Sequence, residues 1–161
     1  MQLSSVALRV PESANVIVGQ AHFIKTAEDL GEIAAGAAPG ARFGLAFNEA
    51  SGPCLIRVEG NDEELRAAAV ANAQAIGAGH VFVLLVRGVY PVHLLDRVKA
   101  CLEVCTVFCA TANAVEVLVV ESAGGGRGVV GVIDGEPPRG VESRDDAQAR
   151  RRLLRELGYK L

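Results

Sequence analysis

Residues 67–86, AAAVANAQAIGAGHVFVLLV, carry no charged side chain. An uncharged run of that length either crosses a bilayer or is buried from several sides inside a folded domain. Asn72, Gln74 and His80 fall within it, and Gly77 and Gly79 interrupt it. The spacing therefore predicts a helix that stops near Gly77, followed by a buried strand Val81–Val86, and no membrane span. That strand has no polar alternation, so both faces of its sheet need cover. The chain opens MQLSSVALRVPES, without a basic region ahead of an apolar run, so no signal peptide is expected and the protein reads as cytoplasmic.

The remaining punctuation is regular. Strands are expected at Val6–Val10 and Asn15–Val18 around Pro11. Thr26-Ala-Glu-Asp29 has the form of a capping box opening a helix that runs to Pro39-Gly40. Arg42–Phe47 and Cys54–Glu59 read as a hairpin with a longer loop. Asn61 to Glu64 opens the next helix, with Leu65, Ala69, Ala73 and Ile76 on one face. Pro91 suits a first helical turn, with Leu94, Leu95, Val98 and Cys101 as the buried stripe. Strands Val104–Ala112, Val115–Glu121 and Val129–Ile133 follow. A last helix begins near Ser143, ends at Gly158 and turns Leu153, Leu154 and Leu157 to one side. Helices intermixed with strands and hairpins give an α/β class, expected here as a three-layer α/β/α sandwich around a mixed β-sheet. With 161 residues and no linker or repeat, a single domain over 1–161 is expected.

Composition narrows the function. Half the residues are hydrophobic but only 4% are aromatic, and the net charge is −3. No basic footprint or stacking platform for nucleic acid is present. Residues 144–161 hold six Lys/Arg against three Asp/Glu, so they carry +3 and the rest −6. A solvated helix face accounts for that excess. Cys101, Cys105 and Cys109 recur every four residues. On a strand the last two lie roughly 13 Å apart, so buried reduced thiols are expected rather than a disulfide or a metal site.

Several segments concentrate polar chemistry. Gly126 to Gly131 matches G-x-G-x-x-G, but a strand follows where a dinucleotide site needs a helix, so a hairpin turn is the better reading. Gly19-Gln-Ala-His-Phe-Ile-Lys-Thr26 joins a strand end to a helix start. Helix N-termini attract phosphate, Lys25 adds positive charge, and a neutral His22 imidazole is a nucleophile toward phosphorus. The plainer alternative is a hydrogen-bonded histidine beside a solvated lysine. In Pro39 to Gly52, Asn48, Glu49 and Ser51 suit a ribose diol and Arg42 suits a phosphate, against an ordinary polar loop. Asn113 reads as an adenine-edge reader or a turn residue. Asp134 reads as a base, a Mg²⁺ ligand or an Asp-Gly turn. His80 is expected in the core, and His93 toward solvent or a partner.

Together the blocks GQAHFIKTAEDL, PGARFGLAFNEASG, AGHVFVLLV, YPVHLLDRVKA, CATANAVEVLVVE, GVIDGEPPRGVE and LLRELGYKL resemble the adenosine-specific kinase family over nearly the whole chain. The resemblance implies a compact three-layer domain that binds adenosine or AMP and assembles as a homo-oligomer, a trimer or hexamer among the options. It implies phosphoryl transfer to adenosine from ATP or another phosphate donor with Mg²⁺. His22, Lys25, Glu49 and Ser51 carry over from the matching blocks, with Asn113 and Asp134 after them. As an enzyme, His22 would carry or accept a phosphoryl group, Lys25 would neutralise it, and Glu49 or Asp134 would activate the nucleoside hydroxyl. As a sensor or carrier, the same residues would bind AMP without turnover, which requires no ATP cradle.

Overall fold

A computed structural model describes residues 1–161. The elements in chain order are β1 (Gln2–Ala7), β2 (Ala14–Ala21), α1 (Thr26–Ala35), β3 (Arg42–Asn48), β4 (Ile56–Gly60), α2 (Glu63–Ile76), β5 (Val81–Arg87), a 3₁₀ turn (Pro91–His93), α3 (Leu95–Ala100), β6 (Val104–Thr111), β7 (Val115–Glu121), β8 (Arg127–Asp134) and α4 (Arg144–Glu156). The strands form two sheets, a five-stranded one ordered β4-β3-β5-β2-β6 and a three-stranded one ordered β1-β7-β8. Every pairing is antiparallel. The expected mixed sheet is thus replaced by two antiparallel ones.

The uncharged run behaves as its pattern demands. Asp62 caps α2 by accepting a hydrogen bond from the Leu65 N–H at 3.1 Å. Gly77 ends the helix at φ 60°, the left-handed conformation a glycine adopts freely. Strand β5 is then buried from Val81 to Val86. Its alternate residues feed two separate cores. Phe82, Leu84 and Val86 join Ile17, Phe43, Leu45 and Phe47 against Leu30 and Ala34 of α1 and Leu94 and Val98 beside α3. Val81, Val83 and Leu85 join Val16, Val18 and Ala46 against Leu65, Ala69, Ala73 and Ile76 of α2, and against Val115, Val117 and Val119 of β7. The layering differs from the expected α/β/α sandwich accordingly: one face carries helices, while the other is shared by α2 and the small sheet. Gly44 makes the first contact intimate, since a Cβ there would lie 2.2 Å from the Leu65 carbonyl carbon.

Local expectations change in four places. Thr26 does not cap α1; Lys25 holds the cap position without a side-chain bond, and Thr26 Oγ1 donates to the Phe23 carbonyl at 2.6 Å. The helix ends at Ala35, short of Pro39. All four cysteines are free, but only Cys109 is buried; Cys54 and Cys105 are exposed and Cys101 is half-buried. Helix α4 forms with the expected Ser143–Asp146 capping box yet buries none of its residues. No helix is long and apolar enough to cross a membrane.

Candidate functional site

Four strands of the large sheet, β3, β5, β2 and β6, lie side by side and finish at one edge. Short backbone bonds tie their ends together. His80 N–H donates to the Asn48 carbonyl at 2.7 Å, Ala21 N–H donates to the His80 carbonyl at 2.9 Å, and His22 N–H donates to the Glu103 carbonyl at 2.6 Å. Neighbouring strands are about 4.8 Å apart. Glu49, His80, His22 and Glu103 therefore arrive in a row at successive strand ends. The backbone is forced to make this row, because His80 sits at φ 62° and Phe23 at φ 86°. Left-handed conformations cost non-glycine residues roughly 1–3 kcal/mol each and cluster at functional sites.

The two imidazoles lie with ring centres 6.1 Å apart, nearly perpendicular. Neither ring makes a side-chain hydrogen bond within the protein. His80 stacks on buried Phe47 at 6.0 Å, and His22 leans toward Phe23 at 6.2 Å. His22 itself is exposed.

Beyond His22 the charges are closed on one another. Lys25 Nζ contacts Asp29 Oδ2 at 2.5 Å and Glu103 Oε1 at 2.8 Å. Cys101 Sγ donates to the other Glu103 oxygen at 2.9 Å. Hydrogen bonds from Cys101 first and Lys25 second hold the Glu103 carboxyl down at about 2. Asp29 and then Glu103 push the Lys25 ammonium above its ordinary range. Burial, followed by the bond to Glu103, lifts the Cys101 thiol to about 11. The donor atoms of Asp29, Cys101 and Glu103 lie within 4.8 Å of one another. This group is a poor match for Mg²⁺, which favours octahedral oxygen ligands; one donor is a thiol, and Lys25 Nζ already pairs with both carboxylates. The start of α1 is also occupied, as Thr26 and Ala27 N–H groups donate to the Phe23 and Ile24 carbonyls at 3.2 Å each.

At the other end of the row, Glu49 Oε2 accepts from Leu55 N–H at 3.1 Å and from Arg57 Nη2 at 3.0 Å. Its Oε1 makes no hydrogen bond within the protein. Ser51 is exposed in the same β3–β4 loop. Behind Glu49 a cleft of about 350 Å³ opens between this loop and the end of α2.

A family model described as Adenosine specific kinase matches residues 6–160. The chain belongs to this adenosine specific kinase family. It is also similar to the PH1918 protein from Pyrococcus horikoshii OT3, known from a crystal structure, with a TM-score of 0.93 and 40% identity over 99% of this chain and 98% of that one. No curated protein matches.

Within this adenosine specific kinase fold, His22, Lys25, Glu49 and Ser51 come to one sheet edge. Arg42, Asn113 and Asp134 do not. Arg42 begins β3, the strand that Asn48 ends, and so lies about 20 Å away; it donates to the Asn61 carbonyl at 3.4 Å. Asn113 follows the far end of β6, where Thr111 pairs with Val16. Its Nδ2 donates to Asp134 Oδ1 at 3.0 Å, so these two satisfy each other away from His22. His80, expected in the core, instead lines up beside His22. The helix stop at Gly77 just before the buried strand was the signal that placed it at a strand start. Glu103 carries no comparable sequence signal, because its role depends on β6 lying beside β2.

Proposed function

We propose that the chain binds adenosine or AMP along the Glu49–His80–His22–Glu103 edge and transfers a phosphoryl group to a nucleoside hydroxyl. The observation that carries this reading is two imidazoles without hydrogen bonds beside a carboxylate with a free oxygen, on adjoining strand ends of a family member. His22 attacks the terminal phosphorus of a nucleoside triphosphate, the P–N bond forms, and the P–O bond to the departing nucleoside diphosphate breaks. The nucleoside hydroxyl oxygen then attacks the same phosphorus. The P–N bond breaks, its electron pair returns to the His22 ring, and the hydroxyl proton passes to the free oxygen of Glu49. Phosphoryl transfer relies mostly on position and charge, so such a site needs no familiar kinase motif. Mg²⁺ would arrive with the donor rather than sit on the Asp29–Cys101–Glu103 group.

A binder without turnover is favoured by a different observation. Lys25 is already neutralised by two carboxylates, and Gly126–Gly131 belongs to the β7–β8 hairpin rather than to a triphosphate cradle. Transfer of labelled phosphate to adenosine, lost in His22→Ala while adenosine still binds, supports the enzyme. Undiminished transfer in that variant removes His22 from the chemistry. AMP binding by calorimetry with no consumption of any triphosphate supports the carrier. Leu153 on α4 and Leu157 just after it stand more than half exposed, and a second copy of the chain is the occupant proposed for that side. A strictly monomeric sedimentation profile would refute it.

A further inference from the structure

We propose that the cleft beside Asn48 is the base subsite and that Asn48 Oδ1 accepts a hydrogen bond from the exocyclic amine of adenine, an inference that rests on the adenosine reading above. Asn48 is only 7% exposed. Its Nδ2 donates to the Ala73 carbonyl at 3.0 Å and to the Ala78 carbonyl at 2.9 Å, which fixes which way the amide faces. Its Oδ1 is buried and has no hydrogen-bond partner. Buried polar atoms are satisfied in the great majority of cases, so an orphan acceptor on a residue that lines a cleft points to a ligand that brings a donor.

The surroundings select the kind of donor. The cleft is lined by Asn48, Glu49, Gln74, Gly77 and Gly79, with Cys54 at its edge. It lies at the C-terminal end of α2, whose last turn holds no basic residue. Charge at this end is balanced, since Arg127 Nη1 donates to the Ala75 carbonyl at 3.4 Å and Arg57 pairs with Glu49 at 3.0 Å. The orphan acceptor makes the choice: an ionised phosphate brings acceptors only, whereas a neutral base with an amino group brings the missing donor. At about 350 Å³ the cleft is of ligand size. The phosphoryl chemistry falls on the other side of a single backbone link, the 2.7 Å bond from His80 N–H to the Asn48 carbonyl. Hypoxanthine would set a carbonyl oxygen against Asn48 Oδ1, so inosine is rejected by the same atom that holds adenosine.

Calorimetry on the unmodified protein with adenosine, purine riboside and inosine tests this directly. Adenosine should bind about tenfold more tightly than purine riboside, which lacks the amine, and inosine should bind more weakly still. Equal affinity for all three overturns the Asn48 assignment and leaves the adenosine reading standing. No binding of adenosine overturns both. A second measurement reads location without any substitution. Cys54 and Cys105 are both exposed, but only Cys54 lines the cleft. Saturating adenosine should slow maleimide labelling of Cys54, followed by peptide mass spectrometry, and leave Cys105 unchanged. An unchanged Cys54 rate with adenosine bound puts the base elsewhere.

Discussion

The two ends of the five-stranded sheet are made by the same strands and both carry closed ion pairs, but one of them also leaves side chains without partners. At the end where β3 begins and β5 finishes, polar groups close on one another. Buried Asn15 donates to the Val89 carbonyl at 3.2 Å, and Arg87 pairs with Asp62 at 3.5 Å and Glu64 at 2.8 Å. At the opposite end, His22 and His80 have no side-chain hydrogen bonds, Asn48 Oδ1 is an orphan, and Phe23 and His80 hold left-handed backbone. A protein gains stability from the first arrangement and loses some by the second. Retaining the second makes sense where a ligand completes it.

Substitutions at each end can break that contrast. The largest expected effect is on turnover: His22→Ala should lower phosphoryl transfer by at least about 10²-fold while its thermal midpoint stays put, because the side chain is exposed. Asp134→Asn should leave transfer within about twofold, as expected of a surface group remote from the reacting atoms. Equal losses in the two variants would erase the distinction between the ends. Next in size is Gly19→Ala. A Cβ there would meet the Phe82 ring at 2.4 Å and the Thr106 carbonyl at 2.6 Å, so denaturant unfolding should show a loss of about 1–3 kcal/mol. Gly124→Ala, with open space around it, serves as the control.

The pH dependence of stability should sharpen the contrast further. In the fold the Glu103 carboxyl titrates at about 2 against an ordinary 4.5. As acid is added, the unfolded chain takes up that proton first, so stability present above 4.5 is lost as pH falls toward 2. Glu103→Gln should flatten this acid limb in a series of melting curves. On the alkaline side burial holds the Cys101 and Cys109 thiols at about 11 against 9.0. There the unfolded chain releases its protons first, so stability declines as pH rises from 9.0 toward 11. The smallest effect is expected for Asn113→Ala, which removes an exposed bond to Asp134; its unfolding free energy should stay within about 0.5 kcal/mol of the parent.

How far each feature could be read in advance follows from how local its cause is. Helix α2 was legible to within a residue or two at each end, because the signals that start it, within Asn61 to Glu64, and stop it, at Gly77, act within one turn of where they stand. The β3–β4 hairpin was legible for the same reason. Strand direction was not, since wholly apolar strands such as β5 are the habit of parallel sheets, yet β5 pairs antiparallel with both β2 and β3. The Thr26 cap failed because the turn begins earlier, at Phe23, and Thr26 bonds backward to it. Among the candidate residues, Glu49 and His22 could be placed at strand ends, and neighbouring ends of neighbouring strands coincide. Nothing local told Asn113 and Asp134 that they would face each other rather than His22.

The pairing of β1 bears on how the chain is made. Ser4 and Val119 lie face to face across β1 and β7 although 115 residues separate them. During translation β1 is exported early, and its mate follows on the order of ten seconds later. Until then the backbone N–H and C=O groups of β1 have no strand to pair with. Loop closure over such a span is slow, so β1, synthesised well before its mate, is expected to be among the latest strands to seat, and a ribosome stalled before Val115 would display it without β7 to pair against.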